Sequence, residues 1–293
     1  MSRTLSLALV LAAAVPAFAA DEAYALKLYK EKDGDVIKKT KKMKTDGTVN
    51  VAVAGMKIDE KQKGSENIAY TEEIVAWPAD AKRATKLQRT YEKVDRTSDK
   101  GEEVKSYLVG KTVVVDRSKD KPAYTVDGKA PTDDQQKELD AEFNKKSDDM
   151  TKHELMPDKP VKVGDTWKID KKKVTAAMGD LQGFVFDEDK SEFTGKLVKA
   201  AKKDGALHGT IEFTLKFALT EFPLGPNMST PADAGSEMTF KVTMDACLDG
   251  TMPGEKVEMS MKMMVKAKLP MDGKLEVDST ITGTETEEPA KKK

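Results

Sequence analysis

The chain has 293 residues, and its 50 basic and 51 acidic side chains nearly cancel, leaving a formal net charge of −1 with both histidines neutral. A total so close to zero excludes a general attraction to nucleic acid or to anionic lipid, so any partner must be argued from local chemistry. Cys247 is the only cysteine, which excludes a disulfide within the chain and leaves packing to hold the core.

Residues 1–20 read as a secretory signal peptide. Arg3 gives the positive start, Leu5 to Val15 form an apolar run too short to cross a bilayer, and Ala17-Phe18-Ala19 offers the small-x-small cleavage site. The mature chain is expected to begin at Ala20 or Asp21 and to be periplasmic or extracellular. No later stretch reaches the roughly 18 apolar residues of a spanning helix, so no membrane span is expected.

From residue 21 to about 130, apolar and polar residues alternate with period two, the mark of half-buried strands. Strands are expected near 22–31, 35–45, 48–58, 66–77, 84–97, 102–116 and 122–127 of this N-terminal antiparallel half. Asp-Gly occurs six times, and the dipeptide suits tight hairpins because both residues accept positive φ. One of the six, Asp46-Gly47, is expected to turn the chain between the second and third runs. Lys38, Lys39, Lys41, Lys42 and Lys44 occupy both faces of one strand, the usual dress of a solvated edge strand.

Residues 131–182 form a connector in which the period changes. Thr132 and Gln135 have the spacing of a capping box, and Asp133 and Asp134 suit the positive end of a helix over about 133–147. Its thin apolar stripe, Leu139 and Phe143, predicts a helix lying across the sheet. A second short helix is expected after Asp170, with Val174, Ala177, Met178 and Leu181 at helical spacing.

Between these helices runs Leu155-Met-Pro-Asp-Lys-Pro-Val-Lys-Val-Gly-Asp-Thr-Trp167. Pro160 stiffens the approach, Gly164 can take a positive φ, Asp165 can accept turn amides, and Trp167 can anchor in the core. The segment resembles the P-x-x-V-x-x-G-D-x-W motif of a secreted bacterial β-rich family of uncharacterised function. Val161, Gly164, Asp165 and Trp167 keep the V-x-x-G-D-x-W spacing, whereas Pro157 and Pro160 flank the proline position without occupying it. The resemblance implies an exported β protein and transfers no catalytic residue, so Pro160, Gly164, Asp165 and Trp167 are read as an architectural corner.

Alternation is cleanest over 183–286, the C-terminal antiparallel half, with strands near 191–202, 206–222, 236–248, 256–270 and 273–285. Phe213 and Phe217 share one face with Ile211 and Leu215; Phe240 continues the face of the next strand, and Met259, Met261 and Met263 that of the one after. This is the candidate face for an apolar ligand. Three alternate thioethers also suit Cu(I), but they continue the Val257 and Val265 face and Met packs irregular cores well, so metal binding ranks third and no metal or cofactor is expected. Alternation puts Cys247 on the polar face. Residues 287–293 read as a disordered tail.

The expected fold is mainly β, with large antiparallel meander sheets forming a curved sheet, half-barrel or sandwich, and one or two short helices. Two histidines, His153 and His208, and no nucleophile elbow or phosphate loop argue against an enzyme. The expected function is that of an exported, monomeric, non-catalytic binding protein holding an apolar small molecule or lipid, or meeting an envelope protein, with no nucleic acid. A structural or interaction module without a ligand cavity is the alternative.

Overall fold

A computed structural model describes residues 22–291, apart from 54–55, 80, 82, 120, 144–151, 179–182 and 226–227. The expected signal peptide, the last turn of the 133–147 helix, and Gly179 and Leu181 lie outside the described residues. In chain order the elements are β1 (Ala23–Tyr24), β2 (Val36–Val53), β3 (Met56–Ala76), β4 (Lys86–Thr97), β5 (Glu103–Val104), β6 (Thr112–Asp116), β7 (Ala123–Val126), α1 (Asp133–Phe143), β8 (Val161–Lys162), β9 (Thr166–Lys168), α2 (Lys171–Met178), β10 (Val185–Lys203), β11 (Ala206–Gly225), β12 (Met228–Pro231), β13 (Glu237–Cys247), β14 (Glu255–Leu269) and β15 (Gly273–Pro289). A single 3-10 turn, Lys152–Leu155, precedes β8.

The protein is mainly β and antiparallel, as the alternation predicts. One 13-stranded sheet runs in the order β7-β6-β4-β3-β2-β15-β14-β13-β11-β10-β9, with β5 paired to β4 and β12 to β11 beside this path, and it does not close into a barrel. Each half is a meander, and the two meet where β15 pairs with β2 from Lys274↔Ala52 to Pro289↔Ile37. The halves are thus fused edge to edge by the first and last long strands.

That joint overturns three local expectations. The lysine-rich β2 is central, because Glu285, Glu287 and Glu288 of β15 stand opposite Lys41, Lys39 and Lys38 and supply the counter-charge that solvent was expected to give. Glu287, Glu288 and Pro289 extend β15 into the expected tail, and the Ala290 amide donates to the Val36 carbonyl at 2.8 Å. β2 also runs straight through Asp46-Gly47. Gly47 serves close approach instead of a turn, since a Cβ there would sit 2.9 Å from Ser279 Oγ across the joint. Elsewhere Asp-Gly turns the chain as expected: Asp204 and Gly205 take φ of 52° and 85° between β10 and β11. Of the expected strand at 22–31 only Ala23–Tyr24, paired with β8, and a single parallel bridge of Lys27 to Asp249 form, because both edges of β2 are taken.

Two cores form on one face of the sheet. The C-terminal core gathers Phe193, Leu197, Ile211, Phe213, Phe217, Met238 and Met244, closed by Leu26, Leu28 and Val174 of α2. The N-terminal core gathers Ile68, Ile74, Leu87, Tyr91, Val113 and Val115 under Leu139 and Phe143 of α1. α1 has the expected capping box, with the Gln135 amide donating to Thr132 Oγ1 and the Thr132 amide to Gln135 Oε1. Its acidic side is tied to the sheet one turn apart, by Arg96 to Glu138 at 2.7 Å and Arg89 to Glu142.

Candidate functional site between the two cores

Strand register decides which side chains meet at the junction. Residues directly opposite share a face, and one such row crosses the whole joint: Ala246, Glu255, Glu287, Lys39, Tyr70 and Tyr91. The next inward position brings Ile37, Glu72 and Arg89 into line. Both ends of the first row are apolar or aromatic and its middle is charged. The apolar face therefore changes to a charged one between the cores and back again.

These charges are partnered in a chain. Lys152, from the 3-10 turn, reaches Glu255 and, at 3.4 Å, Glu287. Lys39 lies 3.2 Å from Glu287, 3.2 Å from Glu31 and 3.6 Å from Glu72. Arg89 donates through Nε and Nη2 to Glu72 at 2.8 and 2.6 Å, and through Nη1 to Glu142. Its guanidinium is clamped between the Tyr70 ring at 3.9 Å and the Phe143 ring at 4.7 Å. Glu255 opposite Glu287 is a like-charge pair that would repel without Lys152 and Lys39 between them.

Environment splits the carboxylates. Burial pushes Glu72 up, but Arg89 and Lys39 outweigh it and hold the carboxyl at about 2. Burial against the partial relief of Lys39 raises Glu31, and burial against Lys152 raises Glu255. Glu287, between two lysines, ends below its ordinary value despite burial. His153 is lowered by burial and by Lys152 and Lys30, so its imidazole is neutral at pH 7.

A cavity of about 780 Å³ opens beside this network. Its lining is mixed: Leu28, Ile37, Ile74, Trp77, Ala84 and Leu87 are apolar, and Glu31, Lys39, Glu72, Arg89, Lys152 and Glu287 are charged. Trp77 is fixed at the wall by its indole N–H, which donates to the Ala81 carbonyl at 3.0 Å.

The sequence-derived candidates fall elsewhere. Phe213 and Phe217 are buried in the C-terminal core, and Phe240, Met259, Met261 and Met263 pack against it partly buried; none of the six lines the cavity. Among the described residues no cluster of His, Cys, Asp or Glu could hold a metal ion. At the corner, Gly164 has φ 94°, Asp165 accepts the Lys162 amide at 2.8 Å, and Pro160 leads into β8. Trp167 donates to the Leu155 carbonyl at 2.9 Å and lies on Gly195, where a Cβ would fall 2.3 Å from the ring. Cys247 is buried, not exposed, because the turn after β13 folds over it and Asp249 accepts its thiol at 3.0 Å.

Charged residues on an otherwise apolar strand face were the signal for the junction. Glu72 alternates with Tyr70 and Ile74, and Arg89 with Leu87 and Tyr91. Alternation alone reads such positions as breaks in a face, and their meeting depends on register between strands distant in sequence.

No described protein family matches the chain, and no curated protein does. Among solved structures it is similar to Ail, the attachment invasion locus protein of Yersinia pestis, at 10% identity over 87% of this chain and 99% of that one, with a TM-score of 0.16. It is likewise similar to OpdQ of Pseudomonas aeruginosa at 9% identity over 87% of this chain and 98% of that one, with a TM-score of 0.18. Scores this low carry no structural or functional argument.

Proposed function

We propose that the protein is exported and acts as a non-catalytic binder in the cell envelope, taking an amphiphilic, lipid-like molecule between its two cores. The observation that supports this reading is the 780 Å³ cavity whose lining combines apolar and charged side chains. A ligand with an acyl or ring body would lie against Leu28, Ile74, Trp77 and Leu87, and its polar head would meet Lys39, Glu72 and Arg89. Residues 1–20, read as a signal peptide, support the export.

A second reading has one observation in its favour. The wall's charged groups are already partnered with one another, as an interaction module without a ligand would have them.

Trp77 lines the cavity and Trp167 does not, so a Trp167→Phe variant leaves the reporter at the site. Long-chain fatty acids or lysophospholipids, added below their critical micelle concentration, are expected to shift its emission to the blue. Ala81→Phe, which narrows the cavity, should weaken the shift. Native mass spectrometry of protein recovered from its own host is expected to show a bound mass. Absence of both the shift and the mass would reject the ligand in favour of the module.

A further inference from the structure

β3 outruns one of its two neighbours. One edge pairs with β2 from Val53↔Met56 to Val36↔Glu73, whereas the other pairs with β4 only from Ser65↔Thr97 to Ala76↔Lys86. The turn after β4 reaches as far as Lys63, whose amide donates to the Asp99 carbonyl at 2.6 Å. Among the described residues no strand lies beside that edge of 56–62, and residues 56–61 are all exposed. None of this stretch lines the cavity.

Strand alternation decides which backbone groups are open there. The Lys63 and Ser65 amides point to the β4 side, toward the Asp99 carbonyl and, at 2.9 Å, Thr97 Oγ1. β2 and β3 pair without a bulge over this stretch, so the amides and carbonyls of Lys57, Asp59 and Lys61 point the same way, into the open edge. An open edge is a template for another chain, and lysine usually guards it. Here the guard is incomplete, because Asp59 and Glu60 stand between Lys57 and Lys61.

We propose that this edge pairs with the same edge of a second copy of the chain, antiparallel, about a two-fold axis at Ile58. Outward-pointing residues must oppose one another, which places the axis on a residue and not between two. An axis at Lys57, Asp59, Glu60 or Lys61 would set that residue against its own charge. With the axis at Ile58, Lys57 of each copy meets Asp59 of the other, both pairs exchange their backbone hydrogen bonds, and Met56 falls opposite Glu60. Ile58, 60% exposed in the single chain, then covers its counterpart at the closely spaced position between the two charged pairs. The symmetry is closed, so the pairing consumes the edge and stops at two copies. A dimer replaces the monomer expected from the sequence, and it does not rest on the ligand reading.

The test is sedimentation equilibrium of the chain from Asp21 with a thiol reductant present, over about 10 μM to about 1 mM because so short a contact makes a weak dimer. A concentration-dependent dimer is expected. Lys57→Asp alone and Asp59→Lys alone should each weaken it about tenfold or more by setting like charges opposite one another. An equimolar mixture of the two variants should restore it, because in this register each altered side chain meets its opposite charge. Met271→Asp, at the most exposed apolar side chain of the described residues but away from this edge, should leave it unchanged. Urea denaturation checks that each variant stays folded. A parent chain that stays monomeric throughout, single variants that dimerise as the parent does, or a mixture that fails to recover overturns the proposal. A dimer lost with Met271→Asp assigns the association to exposed methionine and overturns it too.

Discussion

Glu72 shows at the residue scale how the junction trades burial against pairing. Its folded value of about 2 lies below the ordinary 4.5, so its stabilising contribution is complete above pH 4.5 and drains away as pH falls through 2. Glu287, also lowered, acts in the same direction. Glu31 and Glu255 are raised, so their contribution is complete below the ordinary carboxylate value and is lost as pH rises through their folded values. The pairing of Glu72 is worth about 3 kcal/mol over that acid window. Urea unfolding at a series of pH values should show stability falling from pH 4.5 toward 2, and Glu72→Gln should remove much of that slope while lowering stability at pH 7.

The corner between the helices and β10 can be tested at the scale of the element. β9 pairs with β10, and Gly195↔Trp167 puts the indole over a residue with no side chain. The ring then meets Phe213 edge-on at 6.3 Å. Trp167→Ala should cost about 3 kcal/mol by leaving a cavity. Gly195→Ala should cost about 1–3 kcal/mol by forcing the ring away. The two are coupled, so in the Trp167→Ala background Gly195→Ala should be nearly neutral, and a double-mutant cycle in urea reads the difference. Additive losses would mean that the glycine is needed for its backbone and not for the ring.

The sheet as a whole depends on a joint between the two ends of the chain. β2 and β15 lie far apart in sequence, yet their pairing merges two meanders and places Glu287 between Lys39 and Lys152. Ending the chain at Thr286 removes that carboxylate and the last pairs with Ile37, Lys38 and Lys39, and should cost about 3 kcal/mol or more because two lysines lose a buried partner. Ending it at Ala290 leaves the pairs in place and should change stability by less than about 0.5 kcal/mol. Thermal and urea unfolding of the two truncations distinguish a structural strand end from a dispensable tail.

By itself the sequence determined whatever depends on neighbours along the chain. Period-two alternation determined the antiparallel class and placed β4, β11, β13 and β14 to within a few residues, and the Thr132–Gln135 spacing placed the start of α1. It misread Asp46-Gly47 as a turn and Glu287 as tail, since each is settled by a partner distant in the chain, Ser279 and Lys39, and Cys247 as exposed, since the turn that follows it brings Asp249 onto its thiol. The candidate site shows the same division. Phe213, Phe217 and the Met-rich strand were legible as an apolar face and became core, whereas the charged cavity wall came from single breaks in alternation on separate strands. Only the register of the long strands brings those breaks side by side, because a shift of one residue turns every such side chain to the other face.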